Sequence, residues 1–398
     1  MNYRIVQGSR MEQVQSLWDY CFDKKETPFF QYYFNEYCGK DNTVIGGFEE
    51  INGWERLRSM LHLNPYMLRI RGQEQFVPYI VGVATAPEAR GRHLFAPLLS
   101  TSFDVLRDQG FTFVTLMPIS ASIYLPYGFS YYSYRHAYRL PMAELWSQLT
   151  KQGADLKVER EALSKELLAP LYAELTAELS GVPKRTDFQW HKLLTVHNGE
   201  GIRCAVVYEA EQPAGYMLYH ITDGIFTVHE LLARTQAGKN RLLRFVAQHI
   251  SEAKEFSWLA EAWDKTYLSF GKQEYSGSLQ PFMMARCLDM RKALVNLDVP
   301  ESVGEGSVVL LLTDDFIDRN NHLLELNTQQ GSREAKVVST AADEEVTMDV
   351  AAFTQLYLGA FSAAELHEAG RIKCADMTKL AYLDKLLPKC RTYNNEYF

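Results

Sequence analysis

Residues 81–99 read VGVATAPEARGRHLFAPLL, and no other stretch constrains the fold of this 398-residue chain as much. An apolar run enters Pro87, the triplet Arg90-Gly91-Arg92 follows, and apolar residues then recur at helical spacing. Phe95, Leu98, Leu99, Ser102, Val105 and Leu106 fall on one helical face, and Gly110 ends it. Proline has no backbone N–H, so Pro97 is tolerable only in the first turn, which puts the helix start near His93 or Leu94. FTFVTLMP (111–118) returns as a strand. Residues 76–118 therefore predict a strand–helix–strand unit, and so short a crossover lays its two strands parallel.

A helix N-terminus presents unpaired N–H groups and a partial positive charge, which together attract phosphate. A glycine in the loop before it lets backbone approach closely, and the flanking arginines add charge. Loop 87–93 reads as a pyrophosphate cradle, with a plain strand–helix turn carrying solvated arginines as the alternative. Neither G-x-G-x-x-G nor G-x-x-x-x-G-K-[ST] occurs, which argues against dinucleotide-binding and P-loop readings.

The remainder organises around this unit. Residues 4–6, TVIGGFEE, ERLRSMLHL and PYMLRIRG are strand candidates, and residues 11–22 and 28–38 are helical. A weaker echo follows: GIFTVHELLA as strand, Ala237-Gly238-Lys239 where Gly91-Arg92 stood, RLLRFVAQHISEA as helix and FSWLA as strand. It lacks the Arg-Gly-Arg loop, so no cofactor is expected there. After the turn-rich PESVGEGS (300–307) come short strands and then the helical AAFTQLYLGAF and KLAYLDKLL, an α+β pattern.

The net charge of −8 argues against a nucleic-acid surface, which needs clustered Lys and Arg, and suits a cationic partner or simple solubility. The aromatic content, 13%, fits large cores and an aromatic-lined cleft. MNYRIVQGSRMEQ lacks the apolar core of a signal peptide, and nothing approaches the roughly 20 apolar residues of a membrane span. Six scattered cysteines without a C-x-x-C pair predict reduced thiols in a cytoplasmic protein. The histidines show no metal-ligand spacing, so no metal is expected.

ATAPEARGRHLFAPLL (84–99) resembles the acetyl-CoA loop of the GCN5-related N-acetyltransferases (GNAT), which reads Arg/Gln-x-x-Gly-x-Gly/Ala. Arg90 fits, while His93 stands for the first glycine and Phe95 for the second. SIYLPYGFSYYSYRHAYRL (122–140), AGYMLYHITDGIFTVHE, FMMARCLDMRKAL, MDVAAFTQLYLGAFSAAELHEAGRIK and the terminal NEYF resemble the enhanced intracellular survival (Eis) branch of that family across nearly the whole chain.

That resemblance implies an α/β and α+β protein of two tandem GNAT-like domains followed by a sterol-carrier-protein-like domain. The domains are a catalytic one at 1–150, a degenerate copy at 151–283 and the carrier-like one at 284–398. Acetyl-CoA is the implied cofactor. The resemblance implies backbone contacts from Val83, Ala84 and Thr85, and a pyrophosphate site from Arg90, Gly91, Arg92, His93, Leu94, Phe95 and Ala96. It also implies that Ile119 and Ser120, at the end of the next strand, lie near the pantetheine arm.

Amine acetylation needs a base for the amine, a donor for the tetrahedral oxyanion and a proton or hydrogen bond for the leaving thiolate. The branch takes its general acid from an Ile-Tyr-x-x-aromatic-Gly segment, here Tyr124, with Tyr127 the nearest competitor. It takes its base from the chain's last carboxylate, here Phe398, threaded into the first domain's cleft. Glu396 would hold a cationic substrate or act as the base itself. The expected function is acetyl transfer to primary amines of a small, polycationic acceptor of aminoglycoside-like or polyamine-like type. The alternative is a degraded acyl-CoA-binding or lipid-binding protein using its third domain. A homo-oligomer is implied, a hexamer being the suggested form.

Overall fold

Strand Tyr79–Thr85 pairs in parallel with Phe113–Leu116 at only two positions, Tyr79 with Thr115 and Ile80 with Leu116. This is the parallel crossover that the Pro87 and Gly110 punctuation predicted, and its helix runs Phe95–Asp108. The computed structural model describes residues 1–39, 42–149, 153–272 and 275–396. They form two compact units. One holds Met1–Tyr132, Met283–Cys390 and Glu396; the other holds Ser133–Phe282 and Arg391–Asn395. The anticipated 150/151 boundary lies outside the described residues.

In the first unit the sheet order is Asn2–Ile5, Thr43–Ile51, Trp54–Asn64, Tyr79–Thr85, Phe113–Leu116 and then residues 284–287. Apolar positions of helix Met11–Cys21 and of the aromatic run 29–37 close one face, with Val14, Trp18, Phe30, Tyr33 and Phe48 buried together. Register against Trp54–Asn64 slips between Met60 and His62, so that Gly82 and Val83 bulge out of the ladder opposite Leu61. Gly82 has φ +57°, and a Cβ there would collide with the Trp18 ring. Only glycine supplies both the left-handed backbone and the empty space.

The carrier-like part of this unit is a five-stranded sheet ordered Lys336–Ser339, His322–Thr328, Gly306–Thr313, Val346–Asp349 and Ile372–Cys374. Helices Val350–Tyr357, Ala363–Glu368 and Met377–Leu386 accompany it. The first of these is buried at nearly every position, as its apolar sequence demands.

The second unit repeats the first sheet's plan. Ile225–Ala233 pairs in parallel with Glu255–Glu261 from Ile225/Glu255 to Val228/Trp258 and no further. A register slip against Gln212–Thr222 leaves His229 unmatched, one residue beyond the last parallel pair. The helix that follows differs from expectation. Ala237-Gly238-Lys239 does not form a loop; these residues lie inside helix Gln236–Ala247. Thr235 caps that helix, its Oγ1 accepting from the Gly238 N–H at 3.0 Å. A competent side-chain cap lets the helix start almost immediately after the strand, and no loop remains to become a cradle.

Candidate active site

The opening after Ile80 frees one edge of the strand. Trp54–Asn64 pairs with the opposite edge, but beyond Ile80 no ladder continues towards Phe113–Leu116. Val83, Ala84 and Thr85 lie in this stretch. Backbone donors on such an edge are available to a ligand.

Loop 86–94 carries the chain from that edge to the helix. Gly91 has φ +75° with open space where a Cβ would stand, and His93 has φ +53°. The left-handed backbone at 93 is the physical reason a glycine suits that place, and His93 adopts it at some cost in strain. Leu94 is the N-cap and offers no side-chain cap. The amides of Phe95 and Ala96 are therefore uncapped first-turn donors, and Pro97 brings no N–H. Arg90 to Arg92 and His93 are exposed, Leu94 is buried, and Phe95 and Ala96 are half-buried.

The loop's Arg92 has a partner within the protein. Arg92 forms a two-pronged pair with Glu49, Nη2 to Oε1 at 2.5 Å and Nη1 to Oε2 at 3.1 Å. Arg58 bonds the same carboxylate at 3.0 Å and reaches Glu88. The Arg92 and Arg58 guanidiniums hold the Glu49 carboxyl down at about 2. Much of the positive charge beside the loop is thus already paired with carboxylate.

Tyr124 closes the short helix Ala121–Tyr124 and is buried. Burial pushes its phenol up to about 12. Among the described residues its hydroxyl makes no hydrogen bond. Its ring packs edge-on against Phe95, centroids 5.7 Å apart, and against Phe129 at 5.8 Å. Tyr127 also packs edge-on to Phe95, at 5.2 Å, and to Phe316 at 4.9 Å. Ile119 is 90% exposed. It and Ser120 lie in the segment after strand Phe113–Leu116, not at its end, and the Ser120 hydroxyl meets that of Ser122 at 2.9 Å. Glu396 is half-buried. Phe398 and Tyr397 lie outside the described residues. The segment before them, 391–395, belongs to the second unit; its buried backbone and side chains find their partners there.

Sequence reasoning missed the support of the tyrosine loop. Arg286 and Asp314 are both fully buried, and they form an ion pair. Arg286 also donates to the Tyr127 carbonyl, and Asp314 accepts from the amides of Phe316 and Ile317 at 3.0 Å and from Asn320 at 2.8 Å. Gly128, left-handed at φ +76°, lies so close to Arg286 and Val350 that a Cβ would not fit. The carrier-like part thereby braces the turn behind Tyr124. No local pattern signals a pair 28 residues apart in sequence; Gly82, a glycine inside a strand pattern, is a signal that can be read.

A parallel strand pair that opens after two residues, continued by a loop with an uncapped helix start, defines an acyl-transferring α/β domain, present here once intact and once altered. The sequence agrees: acetyltransferase (GNAT) domain models match residues 2–132 and 181–287, and a sterol carrier protein domain model matches residues 290–395. The chain belongs to the GCN5-related N-acetyltransferases and is an N-acetyltransferase. No curated protein matches it. Its fold is shared over 100% of its length with a probable N-acyltransferase of unknown function from Enterococcus faecalis V583, at TM-score 0.88, 22% identity and 99% coverage of that chain. A GCN5-related N-acetyltransferase from Anabaena variabilis matches at 0.82 and 18%, and Eis1 from Mycobacterium abscessus at 0.76 and 16%, with 100% of each chain covered. Among the described residues no helix is long and apolar enough to cross a membrane, and no group of three acidic, His or Cys side chains is arranged to hold a metal.

Proposed function

We propose that the first unit transfers acetyl from acetyl-CoA to a primary amine of a small polycationic acceptor, aminoglycoside-like or polyamine-like. The observation carrying this reading is the freed strand edge after Ile80 leading into the uncapped start of helix Phe95–Asp108, with a protonated tyrosine beside it. Acetyl-CoA supplies the acetyl group as a thioester open to attack by the amine. Val83, Ala84 and Thr85 would hold the pantetheine arm by main-chain bonds, Arg90 to Ala96 would hold the pyrophosphate, and Ile119 and Ser120 would lie near the arm.

Tyr124 keeps its proton throughout. Burial raises its phenol to about 12, against roughly 8.5 for a free thiol, so complete transfer to the thiolate runs uphill. Its role is a hydrogen bond to the developing thiolate; the proton that the attacking nitrogen releases passes by way of the Phe398 carboxylate to the departing sulfur, so that coenzyme A leaves as its thiol. The Phe398 carboxylate receives the amine proton, and Glu396 attracts the cationic acceptor. The third domain leads the chain into the tail, whose residues 391–395 are held within the second unit. The working protein is a cytoplasmic homo-oligomer. Thiol release from acetyl-CoA, measured over a panel of aminoglycosides and polyamines, tests the reading: turnover with polyamines or aminoglycosides but not with neutral monoamines is expected, and release with none of them overturns it.

A further inference from the structure

The second unit has an opening like that of the first, between Ile225–Ala233 and Glu255–Glu261, and it is filled by the chain itself. Counting two residues past the last parallel pair gives Gly82 in the first unit and Glu230 in the second. Where the first copy carries the smallest residue, the second carries a fully buried carboxylate. Arg185 grips it through two bonds, at 3.0 and 2.8 Å, and Tyr216 donates to it at 2.8 Å. Its third partner is the hydroxyl of Tyr393, from the C-terminal segment.

Successive residues of that segment are held in turn. The Thr392 carbonyl accepts from Trp263 Nε1 at 2.9 Å, and the Tyr393 N–H donates to the Ser180 carbonyl at 2.9 Å. Arg135 donates to the Asn394 carbonyl and, at 2.9 Å, to Asn395 Oδ1, while it pairs with Glu261. Asn395 Nδ2 donates to the His229 carbonyl at 2.8 Å. His229 lies on one strand of the opening and Glu261 on the other, so the segment spans the gap. An amide on this strand's backbone is what a pantetheine arm would offer. Tyr393 and Asn394 are buried, and what remains beside them is a cavity of about 30 Å³, room for a water or two. Four consecutive residues, 392–395, are thus each held by a residue of the second unit.

We infer that the second unit has exchanged coenzyme binding for docking the tail. Residues 392–395 occupy the opening that in the first unit receives the coenzyme, and Arg135 and Glu230 are positioning residues for the C-terminus. Thr235, capping the adjacent helix, removes the phosphate cradle in the same stroke. The inference rests on the proposed role of Phe398 only for its effect on turnover.

The test compares the full chain with the double variant Y393F/N395A, which leaves Glu230 its Arg185 and Tyr216 partners. Hydrogen exchange of the peptide 388–398 should quicken at least about tenfold, since the Tyr393 bond to Glu230 and the Asn395 side-chain bonds to Arg135 and His229 are all lost. Titration calorimetry with coenzyme A should give one site per chain in both proteins. Turnover should fall with the KM for acetyl-CoA unchanged, a split that general destabilisation does not produce. Unchanged exchange, or two coenzyme sites in the unaltered protein, overturns the dock. Faster exchange with undiminished turnover upholds the dock and removes Phe398 from the chemistry. If the double variant does not fold, W263F, which withdraws the donor to Thr392, is read by the same measurements.

Discussion

The ring of Phe95 stands edge-on to that of Tyr124, 5.7 Å between centroids, at the position where the resembled family's loop has a small residue. One residue thus contributes an amide to the helix start and a wall to the tyrosine. Edge-to-face pairs contribute about 0.5–1.5 kcal/mol beyond burial. F95A should lower kcat between about twofold and tenfold, because Tyr124 loses its lateral support, while KM for acetyl-CoA moves little, because the amide stays. Steady-state kinetics with acetyl-CoA varied checks this, and a rise in KM without loss of kcat would assign Phe95 to coenzyme contact instead.

Tyr124 predicts a pH profile. Its phenol, raised to about 12 by burial, stays protonated across the whole neutral and moderately alkaline range. An acid that must keep its proton fails only as pH rises through that value. The kcat of the unaltered enzyme should therefore show no loss attributable to Tyr124 up to about pH 10. Y124F should lose about 10²–10⁴-fold in kcat at every pH, without reshaping the profile. A descending limb near pH 9 that vanishes in Y124F would mean that the tyrosine titrates far lower.

On the proposed reading of loop 90–96, Glu49 competes with the coenzyme for Arg92, with which it is paired. Both side chains are substantially exposed, so the pair itself contributes little to stability. E49Q should leave the fold intact and free the guanidinium for an incoming pyrophosphate. Coenzyme A binding, measured by calorimetry, should tighten about two- to fivefold at low salt, and the gain should shrink as salt screens it.

The strand–loop–helix around Gly91 was legible because its punctuation is local: Pro87, Gly91, Pro97 and Gly110 each permit few conformations. The echo was legible as a repeat but not in detail. Gly238 reads as a loop residue, yet Thr235 caps it into a helix, and a side-chain cap three residues away outweighs one glycine's propensity. The arginines of the loop carried the right charge, but their partner Glu49 comes from a distant strand. The dock for 391–395 and the Arg286–Asp314 brace depend on long-range pairing of buried polar groups, which no periodicity announces.

That brace gives a stability prediction. Removing Asp314 leaves the Arg286 guanidinium fully buried without a counter-charge, and it strands the amides of Phe316 and Ile317. Breaking one side of such a pair costs about 3–5 kcal/mol. D314A should unfold at markedly lower denaturant than the unaltered chain, and D314N, which keeps an acceptor oxygen, should lose less. Because Arg286 also holds the Tyr127 carbonyl, residual folded D314N should show reduced kcat as well.

The second unit holds two buried carboxylates that respond to pH in opposite senses. Arg185, Tyr393 and Tyr216 outweigh the burial of Glu230 and hold it down at about 2, whereas burial lifts Glu261 to about 7 despite Arg135. A carboxyl depressed on folding contributes stability that is present above the ordinary value of about 4.5 and is lost as pH falls towards 2. A carboxyl raised on folding does the reverse: its contribution is full below about 4.5 and is lost as pH rises through 7. Each slope approaches about 1.4 kcal/mol per pH unit within its own window. Denaturant unfolding followed from pH 3 to 8 should therefore show E230Q with a flatter acid limb than the unaltered protein, and E261Q with a flatter decline between pH 5 and 7. If E261Q keeps the full decline over that window, Glu261 is already ionised at pH 5, and its pairing with Arg135 outweighs its burial.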